Sequence, residues 1–159
     1  VVLAITLAKK KYGALTILNP APAKEFDDSI LSCVDIIVPN ETEASLITGV
    51  PLAEQDFHKQ AAAKLAKKVG TVIITLGGKG VYCPSVSEEI LPPFKVKAVD
   101  TTGAGDAFCG ALAAALSEDQ PLAMAIRFAQ AGAAISVTRH GTAPAMPRRA
   151  EIEELLKNG

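Results

Sequence analysis

The sequence of 159 residues predicts an α/β fold with a mostly parallel central sheet. Three observations carry this. Short β-branched runs alternate with segments of helical periodicity, the pattern of helices laid on a sheet. The strongest run, Thr71-Val72-Ile73-Ile74-Thr75-Leu76, is uninterrupted and apolar, as a strand covered on both faces must be. The apolar content, 49% of residues, comes from Ala, Val, Leu and Ile, with aromatics at only 4%, so the core suits close packing of helices on a sheet.

The elements follow in order. Val1 to Lys11 reads as a helix ended by Gly13. Ala14 to Leu18 is a short buried strand, stopped by Asn19-Pro20-Ala21-Pro22, which cannot continue a ladder. A short helical stretch at Asp28 to Cys33 leads to a second strand, Asp35 to Val38, ended by Pro39. Glu41 to Thr48 is a short helix closed by Gly49. Phe57 to Val69 is an amphipathic helix with Ala61, Leu65 and Ala66 on one face and Lys64, Lys67 and Lys68 on the other. Gly77-Gly78-Lys79-Gly80 turns the strongest strand towards Val81-Tyr82-Cys83, one side of an antiparallel edge. Phe94 to Val99 is a further strand. The Gly-rich turn after it feeds a helix from about Asp106 to Leu116, and helices at Leu122 to Val137 and Arg149 to Lys157 complete the chain. No repeat, linker or low-complexity tract interrupts this order, so one domain over residues 1–159 is expected.

Composition excludes several partners. Net charge is −1, so no general field attracts nucleic acid or an anionic membrane. No stretch approaches the roughly 20 apolar residues that span a bilayer. The apolar opening lacks the preceding charges and following cleavage site of a signal peptide. Cys33, Cys83 and Cys109 are scattered and odd in number, which fits buried or incidental thiols in a reducing compartment; a cytoplasmic protein is expected. Val1 opens inside a helix already under way, with neither cap nor Met, the pattern of a fragment or a trimmed chain.

Ligands of open α/β sheets bind beyond the carboxyl ends of the strands. Three clusters fall there: Asn40 to Glu43, Gly77 to Gly80, and Asp100 to Asp106. In the last, Gly103 and Gly105 allow close backbone approach, helix-start N–H groups favour an anion, and Asp106 is placed to accept a proton from a hydroxyl. A dinucleotide fingerprint is ruled out because Phe108 occupies the third glycine's place, and no Walker A loop is present. Simpler readings exist for each cluster. Asp106 can merely complement the helix dipole while Thr101 and Thr102 cap. Asn40 and Glu43 form a capping-box pattern. The glycines at 77–80 can be a plain hairpin turn.

Asp100-Thr101-Thr102-Gly103-Ala104-Gly105-Asp106-Ala107-Phe108 resembles the C-terminal signature of the ribokinase (PfkB-type) family of carbohydrate kinases. Pro39-Asn40-Glu41-Thr42-Glu43 is similar to the family's Asn-x-x-Glu element, and Thr75 to Gly80 to its nucleotide-binding turn. Asn19 to Ala23 and Val137-Thr138-Arg139-His140-Gly141, with Pro144 following, point towards the family's ribose kinases. The motifs stand in family order over nearly the whole chain.

The resemblance implies a three-layer ribokinase-like fold whose C-terminal, nucleotide-binding and catalytic portion is this chain, with the N-terminal part and β lid absent. It implies ATP-dependent phosphorylation of the primary hydroxyl of a sugar, D-ribose to ribose 5-phosphate, with fructose, 2-keto-3-deoxygluconate or adenosine as alternative acceptors. Asp106 would be the base and sugar contact, and Gly103, Ala104, Gly105 and Asp106 the anion hole. Asn40, Thr75, Leu76, Gly77, Gly78, Lys79, Gly80, Gly105 and Gln130 would hold the nucleotide. Gln130 stands where the family often has His or Asn, and a helix-face Gln is more often simply solvated. Glu43 with Asn40 would support Mg²⁺ through waters. Asp100, Thr102, Ser136, Arg139, Gly141 and Ala145 would surround K⁺ or a similar monovalent cation; Ala145 replaces a frequent Ser, and an Asp100–Arg139 salt bridge is the simpler alternative. His58 and His140 read as surface residues. Sugar and ATP are the expected partners, with a homodimer at full length. The chain alone is expected to bind nucleotide weakly and to phosphorylate sugar poorly or not at all. A non-catalytic nucleotide-binding module is the competing reading from another class, with a dehydrogenase behind it.

Overall fold

The computed structural model describes residues 2–22 and 28–159, Asp28 by its backbone alone. They fall into two compact units, Val1–Gly77 with Val81–Leu91, and Gly78–Gly80 with Pro92–Gly159.

The first unit opens with α1 (Val2–Tyr12), after which Gly13 takes a positive φ, as the helix stop requires. Strands β1 (Ile17–Leu18) and β2 (Ile36–Ile37) follow, separated in part by a 3₁₀ turn at Asp28–Cys33. Next come α2 (Glu41–Thr48), α3 (Phe57–Leu65), and strands β3 (Thr71–Val72), β4 (Ile74–Thr75) and β5 (Val81–Tyr82). Strands β1, β2 and β3 form a parallel sheet in that order, pairing Ile17 with Ile36 and Ile36 with Thr71. The same run of chain then pairs antiparallel with β5, Ile74 opposite Tyr82. The strongest apolar run therefore serves two ladders, with Ile73 between them donating its N–H to Ile37 O at 3.0 Å.

The core of this unit gathers Leu18, Leu31, Ile37, Leu65, Val72 and Ile74 from strands and helices alike. Burying an aliphatic side chain of this size contributes roughly 1.5–3 kcal/mol. Beneath β1 lies a polar knot: the Asp35 carboxylate accepts the N–H and hydroxyl of Thr16, each at 2.9 Å, and pairs with Lys9. Desolvation, the largest single effect, pushes the Asp35 carboxyl up, but the bonds from Lys9 and Thr16 together outweigh it and hold the carboxyl below its ordinary value. α1 carries no buried residue, and Leu3 is 72% exposed.

The second unit is helical: α4 (Ala104–Leu116), α5 (Leu122–Ser136) and α6 (Arg149–Asn158). Small residues make close packing possible. A Cβ on Gly132 of α5 would lie 3.1 Å from the Ala111 Cβ of α4 and 3.3 Å from the Ile152 Cδ1 of α6, so the three helices meet closely enough that an added methyl would push its neighbours by a few tenths of an ångström.

The α/β class and parallel sheet agree with the sequence reading; several local expectations do not. Only Ile17–Leu18 of the Ala14–Leu18 run is strand; Thr16 accepts the Ile36 N–H through its carbonyl at 3.0 Å, while its own N–H goes to the Asp35 carboxylate. α3 stops at Leu65 with Ala66 as its C-cap, still in right-handed helical geometry, and Ala62 is buried where Ala66 was expected. Phe94 to Val99 forms no strand and joins no ladder among the described residues. β-branched residues favour a strand only when a neighbour supplies the hydrogen bonds. α4 starts at Ala104, two residues before the expected Asp106, because the Gly103 turn is already its cap. His58 is half-buried, its ring edge-on to Tyr82 at 4.7 Å, whereas His140 is exposed. Cys33 and Cys83 are buried and all three cysteines are free. Among the described residues no helix is long and apolar enough to cross a membrane.

Candidate active site

In the first unit, Asn40 follows β2 directly, and a parallel bridge pairs it with Thr75 at the end of β4. Thr75 N–H donates to Pro39 O at 3.0 Å. Asn40 and Thr75 thus meet at the carboxyl ends of parallel-running chain, the place where such sheets bind ligands. Asn40 also caps α2. Its Oδ1 accepts the Glu43 N–H at 2.9 Å, and Glu43 Oε2 accepts the Asn40 N–H at 2.9 Å, the reciprocal capping box read from sequence. Glu43 is only 5% exposed, yet Asn40 is exposed, so the pair has one structural end and one accessible end. Leu76 is a core side chain, so what it offers a ligand is backbone. Gly77–Lys79 form a 3₁₀ turn whose residues are exposed, with positive φ at Gly77 and Gly80.

In the second unit, Gly103 caps α4 in the left-handed region, φ +77, with no side-chain acceptor at the cap. Expected caps Thr101 and Thr102 do not serve; a backbone turn closes instead, Ala104 N–H to Thr101 O at 3.2 Å and Ala107 N–H to Gly103 O at 2.9 Å. Asp106 lies exposed in the first turn of α4. Gly103 is demanded by its φ, and the space is tight as well: an added Cβ would stand 3.3 Å from both Met146 Cε and Thr142 Cγ2.

Asp100 anchors the turn. Its Oδ1 accepts the Thr102 N–H at 2.9 Å and its Oδ2 the Gly141 N–H at 3.0 Å. Hydrogen bonds from the Thr102 hydroxyl, Gly141 N–H and Thr102 N–H hold its carboxyl at about 2, below the ordinary 3.8. The alternative Asp100–Arg139 salt bridge does not form, because Arg139 is bound by Glu151 of α6. Ser136 is fully buried and its hydroxyl donates to Ala133 O at 2.8 Å; Ala145 is also fully buried, in a 3₁₀ turn at Ala143–Ala145. Asp100, Thr102, Arg139, Gly141 and Ala145 therefore belong to one knot of loop around the start of α4.

Gln130 is not solvated. It is 6% exposed and donates from Nε2 to Pro92 O at 3.2 Å. Arg127 joins it, donating to the same carbonyl at 3.1 Å while its guanidinium stacks 3.5 Å over the Phe94 ring. This clamp on the segment before Asp100 was missed by sequence reasoning; the i, i+3 spacing of two donors on one helix face was its only signal. A hollow of about 320 Å³ runs along α4 from Asp106, with Gly110, Ala114, Phe128, Met146 and Arg149 among its walls. Ala23 of the Asn19 to Ala23 motif lies outside the described residues. Among the described residues no group of three or more His, Cys, Asp or Glu side chains is placed to hold a metal ion.

A profile of pfkB family carbohydrate kinases matches residues 1–149. The chain belongs to this family. Ribokinase of Haemophilus influenzae is 48% identical over 158 residues, covering 98% of this chain and 51% of that protein. Deoxyribokinase of Salmonella typhi is 40% identical over 150 residues, covering 92% of this chain and 49% of that protein. Among solved structures, that of Arabidopsis thaliana ribokinase complexed with ribose and ATP superposes with a TM-score of 0.86 at 36% identity, covering 98% of this chain and 52% of the other. This chain spans about half the length of the relatives it matches.

Proposed function

We propose that this chain is the C-terminal, nucleotide-binding and catalytic portion of a sugar kinase that transfers a phosphoryl group from ATP to the primary hydroxyl of D-ribose. The observation that carries the reading is the cap of α4, a backbone turn with no side-chain acceptor at its Gly103 cap and an exposed Asp106 beside it. Helix-start amides without a side-chain acceptor favour an anion. A carboxylate in the same turn is within reach of a hydroxyl that approaches that anion.

Phosphoryl transfer passes through a loose transition state, so its catalysis is mainly positioning and charge neutralisation. Gly103, Ala104 and Gly105 with the Asp106 N–H form the anion hole for the moving phosphoryl group. Asp106 orients the sugar hydroxyl and takes its proton late in the reaction. A carboxylate at a helix N-terminus is a poor base, and a loose transition state asks little of one. Asn40, Thr75, the backbone of Leu76, Gly77 to Gly80 and Gln130 hold the nucleotide.

Asn40 and Glu43 are hard oxygen donors, and the buried Glu43 carboxylate would fit Mg²⁺ held through waters and nucleotide phosphates. The ion supplies charge neutralisation at those phosphates. Asp100, ionised at any neutral pH, with Thr102, Ser136, Arg139, Gly141 and Ala145 fits K⁺ or a similar ion, the loop carbonyls being suitable donors. A cytoplasmic homodimer at full length completes the reading.

The test is a chimera in which this chain replaces the matching half of Haemophilus influenzae ribokinase, assayed for ADP production with ribose, 2-deoxyribose and fructose. Ribose-dependent turnover is expected, lowered about 10²- to 10⁴-fold by Asp106→Asn. A chimera that binds ATP with no response to any sugar would make the chain a binding module instead. Turnover greatest with 2-deoxyribose would favour the second reading that the Salmonella relative raises. The 159-residue chain alone should bind Mg-ATP weakly and turn over little; turnover by it at the rate of an intact kinase would overturn the fragment reading.

A further inference from the structure

We infer that Glu151 is a positioning residue for the turn that caps α4, acting through Arg139 and the loop that Arg139 begins. The functional meaning of the inference rests on the anion-hole reading above; its geometry does not.

A continuous line of contacts leads from the helical core to that turn. Ile152 seats α6, being 4% exposed with its δ-methyl 3.3 Å from where a Cβ on Gly132 of α5 would be. One residue earlier, the Glu151 carboxylate receives both guanidinium Nη atoms of Arg139, Nη1 at 3.5 Å and Nη2 closer, and its Oε2 also accepts the Arg148 N–H at 2.7 Å. These bonds hold both ends of the loop 139–148 against the first turn of α6. The loop then meets the start of α4 at two places. Gly141 N–H binds Asp100 Oδ2 at 3.0 Å, and Thr142 with Met146 walls the Cα of Gly103. Asp100 passes the constraint on through its other oxygen, which takes the Thr102 N–H at 2.9 Å.

Both members of the Arg139–Glu151 pair are 37% exposed, and such a pair is a modest tether. Its loss should therefore loosen the loop and the turn locally, with the packed helices left in place. That difference separates positioning from general support of the fold.

Amide hydrogen exchange of the isotope-labelled chain reads the difference directly. Thr102, Ala104, Ala107 and Gly141 carry the N–H groups that close the turn and loop. Ala129 and Ala131 lie mid-way along α5 and are fully buried, so they report the helical core. Glu151→Ala should speed exchange about three- to tenfold at the first four and less than about twofold at the last two. Glu151→Gln keeps a neutral acceptor for Arg148 and Arg139 and should fall between wild type and Glu151→Ala. Met146→Ala, at the far end of the line, should speed Ala104 and Ala107 in the same local way, and it carries the test if Glu151→Ala does not fold. The inference is overturned if the turn amides exchange as in wild type, or if Ala129 and Ala131 speed up equally. A titration with inorganic phosphate, followed at the Gly105 and Asp106 amides, is a separate arm: no response in the wild type sinks the anion-hole reading, while the exchange rates still decide the role of Glu151.

Discussion

The Asp100 carboxylate binds the Gly141 N–H across 41 positions of sequence, at 3.0 Å, and so joins the turn before α4 to the loop after α5. Each end of that bond lies in a different sequence motif, and the bond makes them one feature.

The same bond predicts an acid response. Asp100 titrates at about 2 in the folded chain against 3.8 ordinarily, because the Thr102 hydroxyl, the Gly141 N–H and the Thr102 N–H favour its charged form. A depressed carboxyl contributes stability that is present above the unfolded value and lost as pH falls through the folded one. That contribution should fade between about pH 4 and pH 2. The Gly141 amide shift should titrate with its midpoint near the lower limit, and Asp100→Asn should abolish the step. A Gly141 midpoint at the ordinary carboxyl value would show that the bond is not formed in solution.

Gly103→Ala should be strongly unfavourable. It places a side chain at φ +77, where an L-residue costs roughly 1–2 kcal/mol. It also crowds Thr142 and Met146 at 3.3 Å. Denaturant unfolding should register a loss of about 1–3 kcal/mol, whereas Gly110→Ala, inside α4 with open space for its methyl, should gain roughly 0.5–1 kcal/mol.

The capping and ligand roles of Asn40 and Glu43 can be separated. Asn40→Ala removes the cap acceptor and should cost about 1 kcal/mol in thermal unfolding. Glu43→Gln keeps an oxygen for the Asn40 N–H, so stability should change by less than about 0.5 kcal/mol. If Glu43 supports Mg²⁺, the affinity of the chain for Mg-ATP measured by calorimetry should fall in Glu43→Gln despite that intact stability. Equal affinity would leave Glu43 with the cap alone.

Arg127 and Gln130 share one acceptor, Pro92 O, so their contributions should not add. Gln130→Ala should cost about 1 kcal/mol, the scale of one buried hydrogen bond. The Arg127→Ala, Gln130→Ala double variant should lose more than the two singles combined, since only then is the carbonyl left without either donor. Strict additivity in a double-mutant cycle of unfolding free energies would sink the shared clamp.

Much of the site's local architecture was legible along the chain, because local chemistry specifies it. The Asn40–Glu43 capping box needs only two residues three apart, and both bonds are present. The left-handed Gly103 and the helix after it follow from a Gly-rich turn leading into an Ala-rich run. The turn from Thr75 to Val81 leads, as read, into an antiparallel partner. What misled was absent context. Phe94 to Val99 has strand propensity without a described neighbour, and Gln130 looked like a surface residue because nothing near it in sequence announces Pro92, 38 positions away.

The sequence by itself determined the α/β class, the parallel run of chain, the Asn40 cap and Gly49 stop of α2, and the family to which this chain belongs. These depend on periodicity, turn chemistry and motif order, all of which act over a few residues. Only the tertiary structure decided which partner each polar group chose. Arg139 took Glu151 in place of Asp100, Asp100 took two backbone N–H groups, and Gln130 took a carbonyl. Such choices are made when packing brings distant donors and acceptors together and burial makes an unmet one costly, and no spacing along the chain records them.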